Sequence, residues 1–271
     1  MPLMRARKGA APGHGGVELA YEELGRPDAP GLLILHGLYT RGSSWRPIAE
    51  RFADRFRVVL PDQRGHGASG KPDGPYDRAA FAADAAALIE RLGLGPAVVA
   101  GHSMGAITSW MLAHRRPDLV RAFAAVDMHP DTTRTPDQAR TRAWVEGWPL
   151  PFPSWDAFFG YFGERVGAYL APSFVRDESD GLVPVFRREH VLACREDWTA
   201  HSYEPELLAA ARPALLVKGS LSDVTDASLD AVARVLPDCS VATVEDATHY
   251  VPAEQPERLA DALEPFLARF A

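Results

Sequence analysis

Short continuous apolar runs alternate along this chain with longer stretches whose apolar residues recur at helical spacing. The runs Gly31-Leu32-Leu33-Ile34-Leu35, Phe56-Arg57-Val58-Val59-Leu60 and Ala97-Val98-Val99-Ala100 read as strands, and so do Ala122-Phe123-Ala124-Ala125-Val126, Ala214-Leu215-Leu216-Val217-Lys218 and Ser240-Val241-Ala242-Thr243-Val244. Continuous rather than alternating hydrophobicity is the mark of parallel strands covered on both faces. Between them the spacing predicts helices. Ser44 caps one that turns Ile48 and Phe52 inward. Asp77 precedes another with Phe81, Ala85, Leu88, Ile89 and Leu92 on one face and Gly93 as its stop. Leu229, Val232 and Leu236 mark a third, and Pro256 opens a last one carrying Leu259, Leu263, Phe266, Leu267 and Phe270. Val17 to Leu24 alternates as an exposed antiparallel strand would, closed by the turn Gly25-Arg26-Pro27-Asp28. Strands alternating with helices predict an α/β fold around a mostly parallel sheet.

The alternation lapses between Pro130 and Pro205. That stretch has no parallel-strand signal but is dense in aromatic residues: Trp144, Trp148, Phe152, Trp155, Phe158, Phe159, Tyr161 and Phe162. So apolar a segment cannot stay solvated and must fold over something. Without an internal repeat or a low-complexity linker, residues 130–205 read as an insertion into one domain made of 17–129 and 206–271. Residues 1–16, basic and rich in small side chains, read as a flexible tail.

The chain's 271 residues, 46% of them hydrophobic, suffice for one large core with a small accessory layer. A net charge of −7 offers no broad positive field to nucleic acid or an acidic membrane, so a small-molecule substrate is the expected partner, with the protein a monomer or homodimer. The N-terminal stretch lacks an apolar run long enough for a signal sequence or a membrane span, which predicts a cytoplasmic protein. Cys194 and Cys239 have no metal-ligand spacing, and H-E-x-x-H, paired C-x-x-C and G-x-G-x-x-G do not occur, so no metal or other cofactor is expected.

The candidate chemistry centres on Gly101-His102-Ser103-Met104-Gly105, which follows an apolar strand and opens a helix with Ile107, Trp110, Met111 and Leu112 at helical spacing. In that context G-x-S-x-G is a nucleophile elbow, its glycines letting strand and helix approach while the serine is held on a tight turn. A serine hydroxyl needs a base to take its proton and a carboxylate to orient the base. His249, after the last strand, supplies the base. Asp223, after the preceding strand, is the expected acid; Asp226 and Asp127, at the ends of neighbouring elements, are alternatives. Loops leaving a parallel sheet at its carboxyl edge converge there. The backbone N–H groups of Leu38 and Met104 are candidate oxyanion donors. His36 and His66, beside glycines in tight loops, are expected to bond backbone, and His102 to pack or hydrogen-bond locally. Tyr39, His129, Trp144, Trp148, Phe158 and Tyr250 are the candidate substrate contacts. Arg134, Arg140, Arg142, Arg187, Arg188 and Arg195 are possible receivers of a substrate carboxylate, most of them better explained as solvated helix faces.

HGLYTRGSSW (36–45), PDQRGHGASG (61–70), GHSMG (101–105), GSLSD (219–223) and DATHYVPAEQPERL (246–259) together resemble the α/β-hydrolase family over roughly Val17 to Phe270, in its branch of esterases, lactonases, haloperoxidase-like enzymes and carbon–carbon bond hydrolases. The resemblance implies a mostly parallel eight-stranded sheet with helices on both faces and a helical cap inserted after the sixth strand. It also implies Ser103 as nucleophile, His249 as base, Asp223 as acid, and Leu38 with Met104 as oxyanion donors. One departure stands out: the family's usual acid position, three residues after the strand-ending glycine, holds Ser222. Haloalkane dehalogenases and epoxide hydrolases carry an aspartate where this chain has Ser103, and plant hydroxynitrile lyases a lysine where it has Tyr250. The implied activity is hydrolysis of an ester, lactone or thioester of a small apolar or aromatic substrate through an acyl-enzyme on Ser103. A carbon–carbon bond hydrolase or a non-hydrolytic lyase or cyclase is the alternative, and a receptor-like binding protein a further one.

Overall fold

The computed structural model describes residues 6–134 and 138–271. Its strands are, in chain order, β1 (Arg7–Pro12), β2 (Glu18–Leu24), β3 (Gly31–Leu35), β4 (Arg57–Pro61), β5 (Ala97–His102), β6 (Val120–Val126), β7 (Phe174–Arg176), β8 (Leu182–Pro184), β9 (Ala214–Gly219) and β10 (Cys239–Val244). All but β7 and β8 form one eight-stranded sheet in the order β1-β2-β4-β3-β5-β6-β9-β10. From β4 to β10 neighbours run parallel, while β2 is antiparallel to both β1 and β4. The principal core helices are α1 (Arg46–Glu50), α2 (Arg78–Leu92) and α3 (Met104–Arg115). The insertion contributes α4 (Gln138–Glu146), α5 (Trp155–Leu170) and α6 (Arg188–Ala200), and the chain returns through α7 (Glu204–Leu208), α8 (Asp226–Ala233), α9 (Val251–Glu254) and α10 (Pro256–Leu267). This is the α/β-hydrolase fold, with its cap after the sixth strand.

The apolar runs explain the layering. Successive side chains of a strand point to opposite faces, and the core divides accordingly: Leu33, Leu35, Val99, Phe123 and Ala125 pack with Phe81, Leu88 and Ile107 of α2 and α3, while Leu32, Ile34, Val98, Ala100 and Ala124 pack with Ile48, Leu259, Leu263 and Phe266 of α1 and α10. Every residue of β3 and β5 is buried, as continuous hydrophobicity requires. Asp77 caps α2 through a 2.8 Å bond from the Ala80 N–H, and Gly93 ends it in the left-handed region at φ 61°. Ser44 does not cap α1. It lies in a 3-10 turn over Gly42–Trp45 and its hydroxyl donates to the Arg41 carbonyl.

Two expectations for the periphery change. The predicted tail forms β1 from Arg7 to Pro12, so β2 is flanked by strands on both sides; residues 1–5 lie outside the described residues. A buried pair holds this corner: Arg64 makes a two-pronged contact with Asp84 (2.5 and 2.7 Å), and Asp84 also accepts the His14 N–H at 2.8 Å. The cap, expected as helical, also contains the antiparallel pair β7–β8, and α5 is interrupted at Gly163, whose φ is 73°. Among the described residues no helix is long and apolar enough to cross a membrane.

The position of the site follows from the strand order. The chain goes from β3 outward to β4, then returns to place β5 on β3's other side. The loops after β3 and β5 therefore leave in opposite directions and open a crevice at the sheet's carboxyl edge. Register completes the arrangement: Leu35 pairs with Gly101, His102 with Val126, and Val126 with Val217. Ser103 and Asp127 each stand one residue beyond the paired ends of neighbouring strands.

Candidate active site

Ser103 sits between β5 and α3 at φ 52° and ψ −115°, an unusual conformation for a residue other than glycine. Its N–H donates to the Val126 carbonyl at 2.9 Å. The flanking glycines are required by contact. A Cβ on Gly101 would lie 2.1 Å from the Gly105 carbonyl oxygen, and one on Gly105 would lie 2.2 Å from that of Leu35. Strand and helix are thus as close as backbone permits, and the serine between them is pushed out toward the crevice.

His249 Nε2 lies 3.0 Å from Ser103 Oγ, and His249 Nδ1 lies 2.8 Å from Asp127 Oδ2. With Nδ1–H donating to the carboxylate, Nε2 presents its lone pair to the serine hydroxyl. Asp127 is fully buried. Its Oδ1 accepts the Gly219 N–H at 2.8 Å, and its Oδ2 also accepts the Ser222 hydroxyl at 2.8 Å. Burial alone would raise its pKa, but the hydrogen bond and charge of His249, with the donors Gly219 and Ser222, outweigh it and hold the carboxyl below its ordinary value. This chain of contacts can draw a proton from the serine and stabilise the imidazolium that results.

The geometry corrects the expected acid. Asp223 does not reach His249. Its side chain is largely exposed and stands 3.5 Å from His129 Nε2, which lowers its pKa chiefly through that contact. Asp226 pairs with the Lys218 ammonium at 2.9 Å. The carboxylate on His249 belongs to Asp127, the alternative at the end of β6, while Ser222 fills the usual position with a hydroxyl that supports it. The sequence held the signal: a serine three residues after Gly219 and an aspartate closing the strand next to the elbow.

The loop after β3 is tied down by its carbonyls. The Gly37 oxygen accepts His36 Nδ1–H at 2.8 Å and the Thr40 hydroxyl at 3.2 Å, while His36 Nε2 accepts the Gln63 N–H at 2.9 Å. In a trans peptide the N–H points opposite to the C=O, so fixing the Gly37 oxygen also fixes the direction of the Leu38 N–H. Met104 is the first residue of α3, whose leading N–H groups have no partner within the helix. His36 is thus spent on backbone, as expected, and so is His66, whose Nδ1 meets the Arg64 carbonyl at 3.0 Å. His102 donates from Nε2 to the His249 carbonyl at 2.7 Å; burial, then the neighbouring His249, pull its pKa down to about 3, so it stays neutral.

A cavity of about 290 Å³ opens over Ser103 and His249. Of the expected contacts, Tyr39, His129, Trp144 and Tyr250 line it. Trp148 and Phe158 do not. Both are buried in the cap, where Phe158 packs 4.8 Å from Phe174 and 4.9 Å from Phe162, and Trp148 5.2 Å from Phe162. Sequence reasoning missed Met128, Thr141, Val166, Tyr169, Leu170 and Trp198, which line the cavity together with Leu38 and Val224. Among the arginines, Arg195 lines the cavity, and burial lowers its pKa. Arg142, which pairs with Glu146 and Glu196, and Arg134, which pairs with Asp131, lie away from the cavity. Among the described residues no group of three or more His, Cys, Asp or Glu side chains is placed to hold a metal ion.

Comparison with known proteins agrees with this fold. The family described as the alpha/beta hydrolase family matches residues 32–262. A 2-(acetamidomethylene)succinate hydrolase from Mesorhizobium japonicum is 34% identical over 93% of this chain and 92% of its own. A 3-oxoadipate enol-lactonase from Acinetobacter baylyi is 27% identical over 94% of each. The crystal structure of an E-2-(acetamidomethylene)succinate hydrolase superposes with a TM-score of 0.84 at 28% identity, covering 97% of this chain and all of that one.

Proposed function

Since this chain belongs to the alpha/beta hydrolase family, we propose that it is a serine hydrolase cleaving an acyl bond in a small, carboxylate-bearing substrate, with Ser103, His249 and Asp127 as its triad. The observation that carries this reading is the contact chain of 3.0 Å from Ser103 Oγ to His249 Nε2 and 2.8 Å from His249 Nδ1 to Asp127 Oδ2. Ser103 Oγ attacks the acyl carbon as its proton passes to His249 Nε2. Asp127 holds the imidazolium, and the Leu38 and Met104 N–H groups receive the oxyanion. The leaving group departs with the proton from His249. Water then repeats the sequence in reverse to release the acid and restore Ser103.

Two observations support a carboxylate on the substrate. Arg195, always charged in a protein, lines the cavity. The related hydrolase and lactonase act, by their names, on a succinate and an oxoadipate derivative. A fluorophosphonate should add once to the wild-type protein and not to Ser103→Ala, read by intact mass. An unlabelled wild type overturns the serine mechanism. p-Nitrophenyl hemisuccinate should be a better substrate than p-nitrophenyl butyrate, and Arg195→Gln should erase that preference; equal kcat/KM for the two esters in the wild type overturns the substrate class.

A further inference from the structure

Tyr169 lies near the end of α5, in the cap, yet its hydroxyl reaches into the core. It donates to the Leu38 carbonyl at 2.9 Å. Its ring packs 4.7 Å from Tyr250, the neighbour of His249, and 5.7 Å from His102. The same hydroxyl closes over Gly37. A Cβ there would lie 2.4 Å from Tyr169 Oη and 2.6 Å from His102 Nδ1. One cap side chain therefore bears on the oxyanion loop and on the segment that carries the base.

The neighbouring carbonyl of this loop is held from the core, since His36 and Thr40 both bond the Gly37 oxygen, while the Tyr39 ring packs on Trp144 and Phe186 of the cap. Tyr169 holds the next carbonyl, immediately before Tyr39, whose φ of 67° is a conformation that bulky side chains rarely adopt. A strained residue persists when its surroundings fix it, and here part of that fixing comes from the cap. Burial keeps the Tyr169 hydroxyl protonated, hence a donor, well beyond the ordinary range of a tyrosine.

We propose that Tyr169 is a positioning residue that makes the oxyanion hole depend on the seated cap, because its hydroxyl holds the carbonyl of Leu38, on one side of the donor residue, and closes over Gly37, whose peptide on the other side carries the Leu38 N–H. The inference rests on the proposed role of that N–H. Closing the cap over substrate would then brace the donor loop at the moment it is needed, and an open cap would leave Leu38 held only through the core bonds to the Gly37 carbonyl.

Tyr169→Phe keeps the ring and removes the donor. We expect kcat to fall about tenfold to a hundredfold with KM within about threefold, less than the loss of a whole oxyanion donor. The affinity of an alkylboronic acid, which forms a tetrahedral adduct on the serine, should fall in the same proportion, whereas that of a carboxylate product should not. Tyr161→Phe, which removes an exposed hydroxyl bonded to the Gly147 carbonyl within the cap, should leave both unchanged. Gly37→Ala is a second route to the same contact. It should lower kcat and boronate affinity together, and cost less in the Tyr169→Phe background, where of the two close contacts only that with His102 remains. Unchanged boronate affinity in Tyr169→Phe, or a loss confined to KM, overturns the inference. The fluorophosphonate separates this from the proposed function: a wild type that is not labelled defeats the serine mechanism itself, whereas a labelled wild type with an equally active Tyr169→Phe defeats only the role of Tyr169.

Discussion

The Ser222 hydroxyl and the His249 ring donate to the same oxygen, Oδ2 of Asp127, each at 2.8 Å. A serine at the end of β9 therefore serves an acid at the end of β6. Replacing Asp127 by Asn should lower kcat/KM about ten-thousand-fold, as expected when the orienting carboxylate is lost from a triad. Ser222→Ala should cost about tenfold, the scale of one hydrogen bond to a charged group, and Asp223→Asn should stay within about threefold. The decisive measurement is the double variant Asp127→Asn with Ser222→Asp: activity above that of Asp127→Asn alone would show that a carboxylate can serve the base from either strand end.

Three histidines with no exposed surface, His36, His66 and His102, give the fold a definite response to acid. Burial lowers the pKa of His36, His66 and His102, the last to about 3 from an ordinary 6.5. Each is neutral when folded and takes up a proton on unfolding, so the unfolded chain binds more protons below about pH 6.5. The stability they contribute is complete above that value and is lost as the pH falls toward the folded values. Urea unfolding between about pH 6.5 and 4.5 should show stability falling with pH, by about 1.4 kcal/mol per unit for each such group. His102→Gln, which retains a donor toward the His249 carbonyl, should flatten that slope by one group's share; an unchanged slope would contradict the assignment.

The two tryptophans of the cap should separate by phenotype. Trp144 lines the cavity and is 36% exposed, whereas Trp148 is buried among Phe162, Phe174 and Phe186. Trp144→Ala is expected to change KM and the preference among acyl groups with little effect on melting temperature. Trp148→Ala should cost about 3–5 kcal/mol of stability, the usual range for emptying a core aromatic site, measured by calorimetry or denaturant unfolding.

The buried pair at the N-terminal corner makes a prediction about β1. Arg64→Met leaves Asp84 buried without its guanidinium and should destabilise the protein by about 3–5 kcal/mol. Arg64→Met combined with Asp84→Leu should recover most of that loss, since no charge remains uncompensated. Hydrogen exchange in β1 and β2 should quicken in the single variant, because Asp84 and Arg64 both bond the backbone of His14, between those strands.

Much of this was legible in the sequence because burial and backbone constraint leave marks on residue type. The continuous apolar runs gave β3, β5 and β6, and glycines two positions either side of Ser103 marked a close strand–helix approach. The acid was harder, since β6 and β9 end at the same sheet edge and only geometry decides which carboxylate reaches Nδ1. Trp144 and Trp148 share a helical spacing, but α4 ends at Glu146, so Trp148 turns into the cap interior. β1 left almost no pattern: only Ala11 among its residues is buried, and its pairing with β2 rests on the backbone ladder and on the Arg7–Glu23 ion pair.

The cap departs after Asp127 and the chain returns to the sheet at Ala214, on strands that are immediate neighbours, with Val126 paired to Val217. The crossover itself is made by α7, which packs on α3 below the cap. The floor of the proposed site is therefore closed by neighbouring strands, and the segment between Asp127 and α7 stands on it as an insertion. Grafting another family member's cap onto this floor is a direct route to new specificity, with one condition set by Tyr169. The incoming segment must bring a hydrogen-bond donor to the Leu38 carbonyl, or the graft will bind its substrate better than it turns it over.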